Sequence, residues 1–134
     1  MGVKKDPRRA VEYYERAIQE EIPEAYLNLG NMYLRGDGVL QDARNGASLL
    51  REAAHRGNEI ACYSLGTLFF KGDGAVEKDL GQALIYFMVA AKLGHPEAKK
   101  AVYMIQAMSP GRDFQKELTA AGGLLGEIEQ QRRH

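Results

Sequence analysis

Apolar positions along this chain recur at helical spacing, in blocks that end in glycine. From Ala25, the residues Leu29, Met32 and Tyr33 fall on one side of a helix, and Gly36-Asp37-Gly38 stops it where left-handed backbone is needed. Asp42 then stands at an N-cap position, and Ala43, Ala47, Leu50, Ala53 and Ala54 make a second stripe that ends at Gly57. The predicted unit is helix, turn, helix.

That unit repeats. The stretch from Ala25 to Val39 returns 36 residues later as Ala61 to Ala75, carrying Gly30 onto Gly66, Gly36 onto Gly72 and Gly38 onto Gly74. The block from Asp42 to Ala61 returns at Asp79 to Ala98, and it is anticipated at Asp6 to Ala25. Glycine inside a helix costs about 1 kcal/mol relative to alanine. Its return at 30 and 66, with the alanine pairs at 53–54 and 90–91, predicts close crossings between paired helices. Neither helix of a unit buries its stripe alone, so stacked neighbours must supply the core.

The expected fold is therefore all-α, a single solenoid domain over 6–134. Its parts are the second helix of a truncated repeat (6–24), repeats at 25–60 and 61–97, and a degenerate repeat with a closing helix at 98–130. Because the chain begins inside a repeat, we expect a piece of a longer solenoid, the alternative being a helix that caps the N-terminal end. In the third first helix Tyr103 stands at the glycine position and Met108-Ser109-Pro110-Gly111 replaces the Gly-Asp-Gly turn. Asp113 is expected to cap the last helix, with Phe114, Leu118, Ala121, Leu125 and Ile128 as its buried stripe. Glycines 122, 123 and 126 weaken that helix, and Glu127 to His134 is expected to fray.

Charge narrows the partner. Across 134 residues, 18 Lys and Arg balance 18 Asp and Glu, which argues against nucleic acid and acidic membrane surfaces. The basic doublets Lys4-Lys5, Arg8-Arg9 and Arg132-Arg133 stand beside acids and form no patch. The apolar run Ala83 to Ala91 is about half the length of a membrane span, so no membrane insertion is expected. The first residues lack the apolar stretch of a secretion signal, so the chain as written reads as cytoplasmic; a removed signal would place it in the periplasm or outside the cell.

The pattern Ala…Leu-Gly-x-x-Tyr-x-x-Gly-x-Gly-Val…Asp…Ala-Ala-x-x-Gly…Ala resembles the Sel-one-like repeat (SLR), a relative of the tetratricopeptide repeat. Residues 25–60 carry it best; 61–97 carry it with Phe69 for the tyrosine and Ala75 for the valine. The resemblance covers residues 6–98. It implies a right-handed α-α superhelix that acts as an adaptor for other proteins. Some cysteine-rich SLR proteins are linked to β-lactams, but this chain lacks their paired cysteines, and a small-ligand or hydrolytic role has no residues to carry it.

First helices of such solenoids line the concave side. With Leu29, Gly30 and Tyr33 packed, the groove stripe reads Leu27, Asn31, Leu34 and Arg35, then Tyr63, Thr67, Phe70 and Lys71, then Lys100 and Met104. Leu34, Tyr63 and Phe70 are expected as anchors for a peptide or helix of a partner protein, with Asn31, Arg35 and Lys71 fixing its polarity. The competing reading is that Leu34 and Phe70 simply complete packing. On the outer side, second-helix positions are polar in the first two copies and apolar in the third, at Ile85, Met88 and Val89. That face is expected to meet the last helix, another protein, or a second copy of the chain as a weak homodimer, the alternative being that the register slips and the face is interior.

Catalytic chemistry needs a nucleophile with a base, paired carboxylates, metal ligands or a phosphate loop. None assembles in the sequence. Cys62 is alone on a first helix, and His55, His95 and His134 lie at helix ends or in the tail. Gly36-Asp37-Gly38 and Gly72-Asp73-Gly74 lack the alternating oxygen ligands of a calcium loop and read as turns. No cofactor or metal is expected, and the chain reads as a non-enzymatic scaffold.

Overall fold

The computed structural model describes residues 6–73 and 76–133. Among them are seven helices: α1 (Pro7–Gln19), α2 (Pro23–Arg35), α3 (Ala43–His55), α4 (Glu59–Lys71), α5 (Leu80–Lys92), α6 (Ala98–Met108) and α7 (Gln115–Arg132). The fold is an all-α solenoid. α2 pairs with α3 and α4 with α5, while α3 against α4 and α5 against α6 join one pair to the next. α1 lies on α2.

Repeated local chemistry builds the repeated helices. Asp6, Asp42 and Asp79 each cap a second helix: the Asp42 carboxylate accepts from the Asn45 N–H at 3.1 Å, and Asp79 accepts from Gln82 N–H at 3.0 Å. The turn between helices is locked the same way in both copies. Asp42 N–H donates to the Tyr33 carbonyl at 2.9 Å, and Asp79 N–H to that of Phe69 at 2.8 Å. Gly38 has φ +74°, and a Cβ there would stand 2.6 Å from the Pro7 carbonyl carbon. The turn thus seats the start of α1 as well as reversing the chain. Gly74 and Ala75 lie outside the described residues.

The crossings inside each pair are as close as the glycines predict. A Cβ on Gly30 would meet the Gly46 carbonyl oxygen at 3.0 Å, and one on Gly66 would stand 2.6 Å from the Phe87 ring. The main core gathers the fully buried Leu50, Leu65, Leu84, Val89, Ile105 and Ile128, and a smaller cluster of Val11, Leu29 and Met32 seals α1 to α2.

The last helix departs from the repeat. In a regular unit α7 would pair with α6; instead it packs on α5 and reaches α3, and it barely touches α6. Tyr103 supplies the reason. At the position where Gly30 and Gly66 admit a neighbour, α6 carries a phenol ring, and α7 does not close over it.

This shift corrects two expectations. The buried face of α7 is Glu117, Ala121, Leu124 and Ile128, whereas Leu118 is 51% exposed and Leu125 is half-buried. The stripe read from sequence merged the face toward α5 with the one toward α6. Residues 127–132 are also helical rather than frayed, because Arg132 reaches back to donate to the Gly57 carbonyl at 3.1 Å and Ile128 packs against Gly57. His134 lies outside the described residues.

Candidate protein-binding surface

The stripe on the first helices is progressively uncovered along the chain. Leu27, Tyr63 and Lys100 occupy one repeat position: Leu27 is buried, Tyr63 half-buried and Lys100 exposed. At Tyr63 the second helix of the same repeat and the turn after it cover this position, whereas among the described residues α7 packs on α5 and leaves Lys100 exposed. Tyr63 shows the contact directly, since its ring stacks on His95 at 4.2 Å and leans on Phe87 at 5.3 Å. Leu27 therefore belongs to the core and is not a groove residue, and Tyr63 is largely spent on packing within its own repeat.

Other members of the stripe divide. Leu34 is half-buried against Gly46 of α3, where it completes packing. Phe70 is half-buried, with the Lys78 ammonium 6.0 Å from its ring centre. Thr67 turns its hydroxyl inward to donate to the Tyr63 carbonyl at 3.0 Å. Asn31 and Arg35 line an open groove between α1 and α2 beside Tyr14, and Arg35 pairs with Asp37 at 2.8 Å. Lys71, Lys100 and Met104 are exposed, with Lys100 near Glu97 at 3.7 Å. The structure does not gather these ten residues into one continuous groove.

Exposed large apolar side chains are shared between first helices and other segments, since Tyr13 on α1, Leu118 on α7, and Ile22 and Leu40 outside the helices are exposed as well. α4 carries Ile60 and α6 carries Tyr103, Met104 and Met108, each at least 45% exposed, while no large apolar side chain of α3 or α5 is exposed. The face predicted for a second interface is mostly filled by the chain itself. Val89 is fully buried, Met88 nearly so and Ile85 half-buried, with α7 packed over α5. A homodimer through these three residues has no open surface to use.

Sequence reasoning missed a trough at the C-terminal end. Met88 forms its floor, with Val102 and Tyr103 on the α6 wall and Leu118, Gly122 and Leu125 on the α7 wall, enclosing about 540 Å³. The signal for it was visible in Tyr103 at the glycine position, which marks a helix that cannot take a close partner.

Among the described residues no reactive constellation accompanies these surfaces. Burial, reinforced by the charge of Glu59 and opposed by a backbone hydrogen bond, pushes the Cys62 thiol up to about 12, which leaves it a neutral small hydrophobe at physiological pH. Its Sγ faces the Ala54 carbonyl at 3.8 Å. His55 meets the Tyr86 hydroxyl at 3.3 Å, and burial raises that phenol above its ordinary range. Among the described residues no three His, Cys, Asp or Glu side chains converge as metal ligands, and no helix is long and apolar enough to cross a membrane. Among the described residues the one buried carboxylate, Glu117, accepts from Arg112 at 2.8 Å, with its second oxygen unpartnered.

Fold and surface together define an α-solenoid of stacked helix pairs with an apolar trough beside its last two helices. The Sel1 repeat pattern matches residues 1–21, 23–58 and 60–95, and the chain belongs to the Sel1 repeat family. It is similar to chitin synthase regulatory factor 3 of Schizosaccharomyces pombe, 36% identical over 104 residues that make up 75% of this chain and 11% of that protein. Among solved structures it resembles a Sel1 repeat protein from Oxalobacter formigenes, with a TM-score of 0.73, 30% identity, and coverage of 93% of this chain and 52% of the other. A protective antigen present in uropathogenic Escherichia coli strains, which displays an SLR fold, gives a TM-score of 0.77, 28% identity, and coverage of 95% and 27%. The chain thus spans only part of the length of each of these proteins.

Proposed function

We propose that this chain is a non-enzymatic scaffold that binds a peptide or helix of a partner protein along the exposed side of its first helices. The observation that carries this reading is the unequal placing of apolar side chains. α3 and α5 hide theirs, while α4 and α6 leave Ile60, Met104 and Met108 in solvent, with the exposed Lys100 one turn from Met104 and the exposed Lys71 at the far end of α4. Exposed apolar groups rimmed by cations are what a protein interface uses, and the core does not require them. The similarity to a protein named as a regulatory factor fits a role exerted through binding. The Cys62 environment speaks against thiol catalysis. Self-association through Ile85, Met88 and Val89 is disfavoured because α7 lies on α5.

Affinity capture from the native lysate tests the proposal. Lys71→Glu/Met104→Asp should lose a captured protein by about tenfold while retaining wild-type helicity. Glu15→Lys, on the exposed side of α1, should retain it. Equal capture by all three chains would refute the first-helix surface.

A further inference from the structure

We infer that the trough between α6 and α7 is a docking site for an amphipathic helix of a partner protein that carries acidic residues along its flanks. The inference takes its class of partner from the scaffold reading but uses a different surface.

The shape follows from the repeat. Helices α2 and α4 each hold a second helix against an interior glycine, with a missing Cβ at the point of closest approach. α6 has no such companion. Tyr103 replaces the glycine, α7 lies over α5, and the space beside α6 stays open with Met88 at its base. A trough walled by two helices and floored by a third takes a helix more readily than an extended strand, because it offers side-chain pockets and no unpaired sheet edge. α6 is 11 residues long, so the trough accommodates about three turns of a visiting helix.

The chemistry of the walls selects the visitor. Most of the lining is apolar, with Leu118 and Tyr103 each more than half exposed, so the visitor must present an apolar face. Lys92 and Lys99 are the charged residues of the lining, and no carboxylate stands among them. Both ammonium groups are on exposed residues at the rim, where they attract glutamate or aspartate on the visitor's flanks and repel a basic amphipathic helix. On the opposite wall Gly122 has nothing within 4 Å of where its Cβ would stand, so the visiting backbone meets no side chain there. That bare position accommodates a bulky apolar anchor from the partner.

Fluorescence anisotropy with the full chain tests this, using two labelled designed helices of about 16 residues. They share one leucine face and differ only in bearing glutamate or lysine along the flanks. The glutamate-flanked helix should bind about tenfold more tightly than the lysine-flanked one. Leu118→Asp, at an exposed position that leaves the core intact, should weaken it by about tenfold. Lys92→Glu/Lys99→Glu should invert the preference, a gain that loss of folding does not produce. Equal binding of the two helices, binding that survives Leu118→Asp, or no binding of either overturns the inference. So does sedimentation of the chain as a dimer that Leu118→Asp dissociates, which assigns the trough to a second copy. Lys71→Glu/Met104→Asp reports the first-helix surface through lysate capture and Leu118→Asp reports the trough through helix binding, so failure of the one and failure of the other are read separately.

Discussion

Leu84→Ala is expected to lower the unfolding free energy by about 3 kcal/mol, because it removes a fully buried side chain from the centre of the solenoid. Leu84 belongs to the core cluster that also holds Leu65 of α4, Ile105 of α6 and Ile128 of α7. Its loss should therefore leave a cavity that rigid helices on several sides cannot collapse, adding a cavity cost to the lost transfer free energy. Urea denaturation followed by circular dichroism checks this: the midpoint should fall with little change in slope. Leu40→Ala provides the contrast, since Leu40 is 91% exposed and should shift stability by no more than about 0.5 kcal/mol. Similar losses at 84 and 40 would mean that the chain has no packed core at this place.

Gly66→Ala is expected to destabilise by about 2 kcal/mol, although alanine is by itself the better helix former by about 1 kcal/mol. The new methyl would stand 2.6 Å from the Phe87 ring. That ring is only 3% exposed and is wedged against Tyr63, so it has little room to retreat. Overpacking of this kind outweighs the propensity gain. In a Phe87→Leu background the penalty should shrink, giving a coupling energy of about 1 kcal/mol between the two sites. Gly123→Ala is the same chemical change with nothing within 4 Å, and it should stabilise by about 0.5 to 1 kcal/mol. Opposite signs for the two substitutions in chemical denaturation would establish that glycine is needed at the α4–α5 crossing and is dispensable in α7. Stabilisation by Gly66→Ala would contradict the close crossing.

Repeats made most of this fold legible. The aspartates at 42 and 79, the glycines at 30 and 66 and the alanine pairs each recur in register, and each does local work that needs no distant partner to interpret. What did not repeat was harder to place. The face of α7 depends on which helix it meets, and Leu118 and Leu125 look like core residues until α7 is seen to lie on α5. The surface was legible in part for the same reason. Leu27, Tyr63 and Lys100 share one register position, yet burial is set by the helix and turn that follow and not by the residue's own helix. A sequence read one helix at a time assigns all three to a groove, whereas stacking leaves only the last of them open. Arg132 was missed because its carbonyl partner, Gly57, is 75 residues away in the chain.

The scaffold reading is tested most directly by placing a photo-activated crosslinking side chain at single exposed positions and irradiating the native lysate. Position 71 on α4 and position 104 on α6 report the first-helix surface, and position 51 on α3 reports the opposite side. The account predicts that the same partner protein is joined to the chain from 71 and 104 and not from 51. Adducts formed from 51 alone, with none from 71 or 104, would contradict it.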